Sequence, residues 1–148
     1  MWCGKCEDLK LAEKKMEMYK ASKYLVIQLK RFKQIGYEKS KNYAEVDFPT
    51  ELDLEGHIID PTLPETYFID EEEGFIKPSY WKGFDTEKKT KYRLYGVVNH
   101  HGSLGGGHYT AYCRHGDQWY LFDDSQVEAV EEGKIVSSAA YLLFYERM

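Results

Sequence analysis

His108 and Asp123 are the residues of this sequence whose types and spacing best allow chemistry. His108 follows three consecutive glycines and begins a stretch that favours a strand. Asp123 comes directly after the aromatic stretch 119–122. If these stretches pair as a hairpin that turns near Gly116, Asp123 returns to lie beside His108. A carboxylate there holds the imidazole by its N–H and stabilises its charged form, so the pair could serve as general base and orienter. A Gly-His pair alone would equally suit a flexible hairpin with an incidental histidine, and it is the segment 119–125 that favours catalysis.

A nucleophile for this base is not evident in the sequence. Cys113 is the nearest cysteine, but it follows His108 by five residues in the same predicted strand and therefore lies on the opposite face. We interpret it as a half-buried structural thiol, because free cysteines commonly pack as small apolar residues. Ser103 and Ser125 lack the strand–turn–helix context of a nucleophilic serine. The sequence therefore predicts a base and an orienter without the group that they would activate.

Gly105, Gly106 and Gly107 precede the histidine directly. Three glycines give a backbone that another chain can approach closely, which suits a substrate channel beside His108. A phosphate-binding loop is disfavoured, since no Lys-Ser/Thr pair and no helix follow the glycines.

Cys3 and Cys6 form a C-x-x-C with the spacing of two ligands of a tetrahedral zinc ion. A structural zinc site needs four ligands, and the sequence has no second C-x-x-C, so two free thiols in a fraying terminus are an equal alternative. The other histidines show no complementary spacing and are interpreted as surface residues or as neighbours of a site: His57, His100, His101 and His115.

Length and composition restrict the class of protein. The chain has 148 residues, 43% of them hydrophobic and 16% aromatic, with a formal net charge of −5. These values suit one soluble, tyrosine-rich, sheet-dominated unit and exclude disorder and a multidomain assembly. The longest apolar runs are far shorter than the about 20 residues that a membrane crossing requires, so no membrane partner is expected. The acidic balance argues against nucleic acid and favours a basic protein partner, and three cysteines without a signal peptide indicate the cytoplasm and/or the nucleus.

The elements that must position these residues are short strands. Strands are predicted over 24–29, 92–98, 108–114, 118–122 and 140–146, and their close spacing favours an antiparallel sheet. The segment 24–29 is predicted as a buried strand.

The connecting segments are less regular. A polar loop is expected over 33–42 and a strand end over 46–49, while 7–20 suits a helix or a strand equally. The stretch 57–90, rich in proline and charge, is predicted to be a solvated insertion with some strand at 67–69.

Four groups of residues, in chain order, resemble the ubiquitin-specific proteases, a family of papain-like cysteine peptidases that cleave after the C-terminal glycine of ubiquitin. Residues 2–6 (WCGKC) are similar to the second half of the family's zinc ribbon, and residues 25–32 (LVIQLKRF) to its L-x-x-x-L-K-R-F strand. Residues 105–112 (GGGHYTAY) resemble its histidine box. Residues 119–127 (WYLFDDSQV), with 140–145 (AYLLFY), resemble its closing strands. The histidine box together with W-Y-x-F-D-D-S-x-V is highly specific.

The resemblance implies a fold of class α+β, mostly antiparallel β, forming the C-terminal palm and part of the fingers of a papain-like fold. It implies that His108 is the general base, that Asp123 orients it and that Asp124 supports the site. Loops similar to those that gate the ubiquitin tail are 33–42 and 99–107. The residues implied to contact ubiquitin are Gly105, Gly106, Gly107 and Tyr109.

The resemblance also implies a division of the chain. Residues 1–20 would form half a zinc ribbon, with a strand rather than a helix over 10–20; 21–56 and 91–148 would form the palm sheet, and 57–90 an insertion. No cofactor is implied for catalysis, and structural zinc is implied only if another cysteine pair completes the Cys3–Cys6 half site.

The family's cysteine box and first C-x-x-C have no counterpart here. We therefore expect part of a catalytic domain, cut within the ribbon and inactive alone, whose partners are ubiquitin, ubiquitinated proteins and the missing N-terminal half. The alternative is a catalytically silent ubiquitin-binding or scaffold module. Retention of both His108 and Asp123 favours the enzyme.

Overall fold

The computed structural model describes residues 2–9, 11, 16, 18, 21–58 and 89–148. These residues fall into two compact units. The described part of the first unit is 2–9, 11, 16, 18 and 56–58, and that of the second is 21–55 and 89–148.

The first unit contains a small antiparallel hairpin. Strand β1 (Trp2–Cys3) pairs with β2 (Asp8–Leu9), and Cys6 lies in the turn between them. An isolated bridge joins Met18 to Ile58, and the Met18 N–H donates to the His57 carbonyl at 2.8 Å. Most of the strand predicted over 10–20, and the strand predicted over 67–69, lie outside the described residues.

The second unit is built on an antiparallel sheet. Its strands in chain order are β3 (Tyr24–Gln28), β6 (Glu51–Asp53), β7 (Lys91–Ser103), β8 (Gly106–His115), β9 (Gln118–Asp123), β10 (Gln126–Val130) and β11 (Ala140–Arg147). Their spatial order is β10-β9-β8-β7-β11-β3, with β6 also paired to β7. A separate hairpin consists of β4 (Phe32–Ile35) and β5 (Glu38–Lys41), and a single 3-10 turn spans Glu132–Lys134. No α-helix occurs among the described residues. A helix long and apolar enough to cross a membrane is therefore also absent from this part of the chain.

The core lies where the long strand β7 packs between β8 and β11. Alternate residues of a strand point to the same face, and Tyr92 and Leu94 of β7 are buried in this way. They share the core with Trp119 of β9 and with Leu143 and Tyr145 of β11. Each such side chain contributes on the order of 1.5–3 kcal/mol through removal from water. This packing makes β7 the rigid support of the neighbouring strand β8.

The four predicted strands of the C-terminal half and their antiparallel pairing are confirmed, with bounds one to five residues longer at some ends. The turn predicted at 115–117 is also confirmed, and Gly116 has a φ of 59°, which glycine adopts without strain. Strand β10 is not among the predicted strands, and it continues the chain as the edge strand beside β9.

Three predictions for the N-terminal half of this unit are wrong. The segment 33–42 is not a loop: most of it forms the hairpin β4–β5, which turns at Gly36 with a φ of 59°. The segment 46–49 is an extended connection, and the strand begins at Glu51. Strand β3 exists, but its side chains alternate between exposed and half-buried because it lies at the edge of the sheet, so Val26 is exposed rather than buried.

Arg31 fixes the hairpin β4–β5 to the main sheet. Its side chain is buried, and its Nε donates to the carbonyl of Ala140 at the start of β11. Its Nη1 donates to the carbonyls of Asn42 at 3.0 Å and Ala44 at 2.7 Å. One guanidinium thus holds the chain after β5 against the first residue of β11, which brings the hairpin close to the end of β7.

Candidate active site

His108, near the start of β8, and Asp123, at the end of β9, lie side by side. Nε2 of His108 is 2.5 Å from Oδ1 of Asp123. The two side chains are 48% and 45% exposed, so the pair is accessible to a reactant.

The strand register explains this contact. Ala111 of β8 lies opposite Phe122 of β9, so the next position along places Thr110 opposite Asp123. Residues opposite each other in an antiparallel pair point to the same face, and His108 is two positions beyond Thr110 on that face. The diagonal is short enough for an imidazole to reach a carboxylate. His108 and Asp123 therefore lie together because the turn at Gly116 sets this register between β8 and β9.

The contact changes the protonation of His108. Its pKa is raised, chiefly by the hydrogen bond with the Asp123 side chain, against a smaller opposing effect of burial. The charges of Asp123 and Asp124 raise this pKa further. Because Nε2 is engaged with Asp123, Nδ1 is the ring nitrogen left to exchange a proton with a reactant.

Asp124 occupies the turn between β9 and β10. Its φ of 48° lies in the left-handed region, which aspartate tolerates better than most residues. One ligand-type atom from each of His108, Asp123 and Asp124 lies within 4.8 Å of the others. Asp124 thus adds a second negative charge beside the imidazole, and its supporting role stays a prediction.

The glycines before His108 differ in what surrounds them. A Cβ at Gly107 would overlap the His101 carbonyl and the His100 ring, so the packing of the chain itself requires glycine there. A Cβ at Gly106 would meet nothing within 4 Å, and one at Gly105 would meet only the Ser103 hydroxyl at 3.9 Å. Within the described chain, a side chain at Gly105 or Gly106 therefore has room.

Tyr109 and His100 face each other across β8 and β7 on the side of the sheet opposite His108. Tyr109 is exposed, and its ring centroid is 4.7 Å from that of His100. Of the two alternatives predicted for His100, burial excludes a surface residue and leaves a neighbour of a site, because this side chain is only 4% exposed, whereas His57, His101 and His115 are exposed.

Lys41 is a residue near the site that the sequence did not reveal. Its ammonium lies 2.9 Å from Nδ1 of His100. The pattern V-V-N-H-H-G does not indicate whether His100 or His101 faces inward. Only the pairing of β7 with β8 shows which alternate residues of β7 share the inner face.

Cys113 lies on the face of β8 opposite His108, since five residues separate them along an unbroken strand. The residue is exposed rather than half-buried, because it pairs with Gly96, which has no side chain to cover it. Burial of part of the side chain still raises the pKa of its thiol. The geometry gives Cys113 no route to the imidazole.

Cys3 and Cys6 are the two residues predicted as half of a zinc site. Cys3 ends β1, and Cys6 lies exposed in the following turn. Among the described residues, no group of three possible ligands forms around Cys6. The half site at Cys3 and Cys6, and zinc binding there, stay predictions.

An imidazole oriented by a carboxylate at the ends of two antiparallel strands is typical of the base-and-orienter half of a nucleophilic hydrolase. Residues 1–145 match the family model described as ubiquitin carboxyl-terminal hydrolase. The chain belongs to this family, which confirms the resemblance drawn from its four groups of residues.

Curated relatives agree with the family model. Ubiquitin carboxyl-terminal hydrolase 8 of Arabidopsis thaliana is 42% identical over 151 residues, which cover 100% of this chain and 15% of the relative. Ubiquitin carboxyl-terminal hydrolase 15 of Homo sapiens is 36% identical over 149 residues, covering 99% of this chain and 13% of the relative. The chain thus spans only a small part of the length of the relatives that it matches.

Solved structures agree with the fold. The Ubp8-Sgf11-Sgf73-Sus1 SAGA DUB module is similar with a TM-score of 0.65 and 29% identity, over 89% of this chain and 25% of that chain. The Ubp8/Sgf11/Sus1/Sgf73 module bound to ubiquitin aldehyde gives a TM-score of 0.72 and 28% identity, over 100% of this chain and 29% of that chain. These similarities confirm the predicted fold class, a mostly antiparallel part of a papain-like catalytic domain.

Proposed function

We propose that these residues form the base-bearing part of a deubiquitinase catalytic domain, which hydrolyses the peptide or isopeptide bond after the last glycine of ubiquitin. The observation that carries the proposal is the contact of 2.5 Å between His108 Nε2 and Asp123 Oδ1 in a chain of this family. The nucleophilic cysteine would come from residues beyond this chain, since Cys113 faces away from His108.

The proposed proton transfers use Nδ1 of His108, the ring nitrogen that does not contact Asp123. Nδ1 of His108 would take the proton of the cysteine thiol, and the sulfur would attack the carbonyl carbon of ubiquitin's last glycine, forming a thioester as the bond to the amine breaks. The imidazolium, stabilised by Asp123, would then give its proton to the leaving amine. Water would hydrolyse the thioester with His108 acting again as the base, which returns the thiol.

The experiment that tests this function compares two proteins with a ubiquitin C-terminal fluorogenic substrate. We expect no turnover by the 148-residue chain alone, and turnover by a longer chain in which a cysteine box precedes it. Hydrolysis by the short chain that survives Cys113→Ala and is lost in His108→Ala would contradict our account of the nucleophile. Binding of ubiquitin without turnover by the longer chain would instead support the silent module.

Structural zinc belongs to the same proposal. Cys3 and Cys6 would supply two thiolates, and a second cysteine pair from outside this chain would complete a tetrahedral site that cross-links the hairpin β1–β2. The compartment that suits both the thiols and the substrate is the cytoplasm or the nucleus.

Gly106 offers a sharp test of the channel. We expect Gly106→Val to raise KM for the ubiquitin substrate by roughly tenfold or more, because the added side chain would occupy the space in which the substrate tail approaches the backbone. The free energy of unfolding should change little, since a Cβ there meets nothing within 4 Å and the position lies in a strand. Steady-state kinetics and urea denaturation measure the two effects.

Gly133→Val is the matched control for Gly106→Val. Gly133 also has no atom within 4 Å of an added Cβ, but it lies in the 3-10 turn. The KM of the Gly133→Val variant should equal that of the parent protein. An unchanged KM in Gly106→Val would remove Gly106 from the substrate channel.

A further inference from the structure

The C-terminal residues of β7 extend past the first residue of its antiparallel neighbour β11, toward the turn that precedes His108. Ala140, the first residue of β11, lies opposite Asn99, and the His100 N–H donates to the Ala139 carbonyl at 2.8 Å. Strand β7 extends to Ser103, so its last residues have no strand partner on the β11 side within the described part of the chain. Alternate residues direct their carbonyls to the same edge, so His100 and Gly102 both present acceptors there.

Lys41 occupies this edge in place of a strand. Its Nζ donates to the His100 carbonyl at 2.6 Å and to the Gly102 carbonyl at 3.0 Å. Its third contact is with Nδ1 of His100 at 2.9 Å, so three acceptors match the three N–H donors of one ammonium. The Tyr43 hydroxyl adds a donor to the Gly102 carbonyl at 3.2 Å, and the Tyr43 ring lies 5.0 Å from Nζ.

The imidazole of His100 transmits this anchor to the neighbouring strand β8. Its ring packs against Tyr109, and a Cβ at Gly107 would lie 2.8 Å from its Cε1. Gly107 and Tyr109 are the residues on either side of His108. His101, the cross-strand partner of His108, stands between the two carbonyls that Lys41 holds. The His100 ring thus lies against Gly107 and the Tyr109 ring, on either side of the base, and Lys41 bonds to the backbone on either side of its cross-strand partner.

The contact between Lys41 and His100 requires a neutral imidazole whose Nδ1 accepts. Burial lowers the pKa of His100, and the Lys41 and His101 charges lower it further. Burial and the charge of Arg31 also lower the pKa of Lys41. The rings of Phe32 and Tyr141 pack around His100 without adding a charge. The surroundings therefore favour the neutral form that the hydrogen bond needs.

We propose that Lys41 and His100 are positioning residues for His108: they hold the end of β7, and through it they fix the segment of β8 that carries the base. The inference rests on the proposed function, because the position of His108 affects turnover only if His108 reacts. It assigns the hairpin β4–β5 a role in catalysis that is separate from contact with the substrate.

Lys41→Met is the main variant, since it keeps the length of the side chain and removes its donors. In the catalytic domain that contains this chain, we expect kcat to fall by roughly 10- to 100-fold, because a displacement of about 1 Å at a reacting group has effects of this size. KM should change by less than kcat. Lys41→Arg should recover part of the loss, since a guanidinium donates to the same edge in a less suitable geometry.

His100→Phe tests the second residue. Phenylalanine retains a ring against Gly107 and Tyr109 but removes the acceptor for Lys41, so we expect a smaller fall in kcat than in Lys41→Met. The matched controls are Lys134→Met and His115→Phe, which make the same changes at exposed positions away from β7. Both controls should have the kcat of the parent domain.

The decisive measurement does not depend on activity. Histidine side-chain NMR reports the pKa of His108, which the Asp123 contact raises. In Lys41→Met this pKa should move down toward its ordinary value as the contact loosens, and it should do so even if the domain hydrolyses nothing. An unchanged His108 titration in both Lys41→Met and His100→Phe would overturn the inference, whatever the effect on kcat. A domain that lacks turnover but shows the shift would contradict the proposed function alone.

Discussion

His108→Ala is expected to lower kcat for hydrolysis of a ubiquitin C-terminal substrate by roughly 10³- to 10⁴-fold, the range that loss of a general base in a triad produces. Without the imidazole, no group on β8 accepts the thiol proton or returns it to the leaving amine. KM should change little, because the proposed role of the half-exposed ring is proton transfer and not binding of ubiquitin. Steady-state kinetics of the catalytic domain that contains this chain measure both values.

The control for this prediction is His115→Ala. His115 lies exposed at the other end of β8, so the variant removes a histidine from the same strand without touching the site. Both variants should retain the thermal unfolding midpoint of the parent domain, which separates lost chemistry from lost structure. If His108→Ala kept more than about a tenth of the parent kcat, His108 would not be the base.

The contact between His108 and Asp123 could be predicted from the sequence because it depends on one short-range feature. The turn near Gly116 joins two strands with clear aromatic and β-branched patterns, and a hairpin with a defined turn has a defined register. The register then decides which residues share a face. The distance between the two side chains needed the structure, but their proximity needed only this turn.

The surroundings of His100 could not be predicted in the same way. Its side chain contacts Lys41, a residue 59 positions away, and the ring of Phe32. The polar sequence of 33–42 indicated a loop, and the hairpin there forms next to a sheet whose order the sequence does not specify. Arg31 shows the same limit: a basic residue at the end of a strand suggests solvent, but here its guanidinium is buried among backbone carbonyls. Long-range contacts of polar groups leave no periodic pattern to detect.

Asp123 is expected to have the second-largest effect on turnover. Asp123→Ala should lower kcat by roughly 10²- to 10³-fold, because the imidazole loses the acceptor that orients it and the charge that stabilises its protonated form. Asp123→Asn should lose less, about tenfold, since an amide oxygen can still accept from Nε2. The two variants separate the orienting effect of Asp123 from its charge.

The titration of His108 gives the sign of the charge effect. Asp123 raises the pKa of His108, first through the hydrogen bond and then through its charge, so both variants should lower this pKa. His108 would then lose its proton at lower pH, and at a given pH near the transition a smaller fraction would be protonated. NMR titration of the imidazole measures this shift directly.

Asp124→Asn is the matched variant that tests which carboxylate matters. Asparagine also tolerates the left-handed backbone at this position, so the turn between β9 and β10 should persist. Asp124 is the smallest of the effects that raise the pKa of His108, and it makes no hydrogen bond to the ring, so its variant should shift the titration less than Asp123→Asn. If Asp124→Asn instead gave the larger loss of kcat and the larger shift, the orienter would be Asp124, and the contact at 2.5 Å would not be the one that catalysis uses.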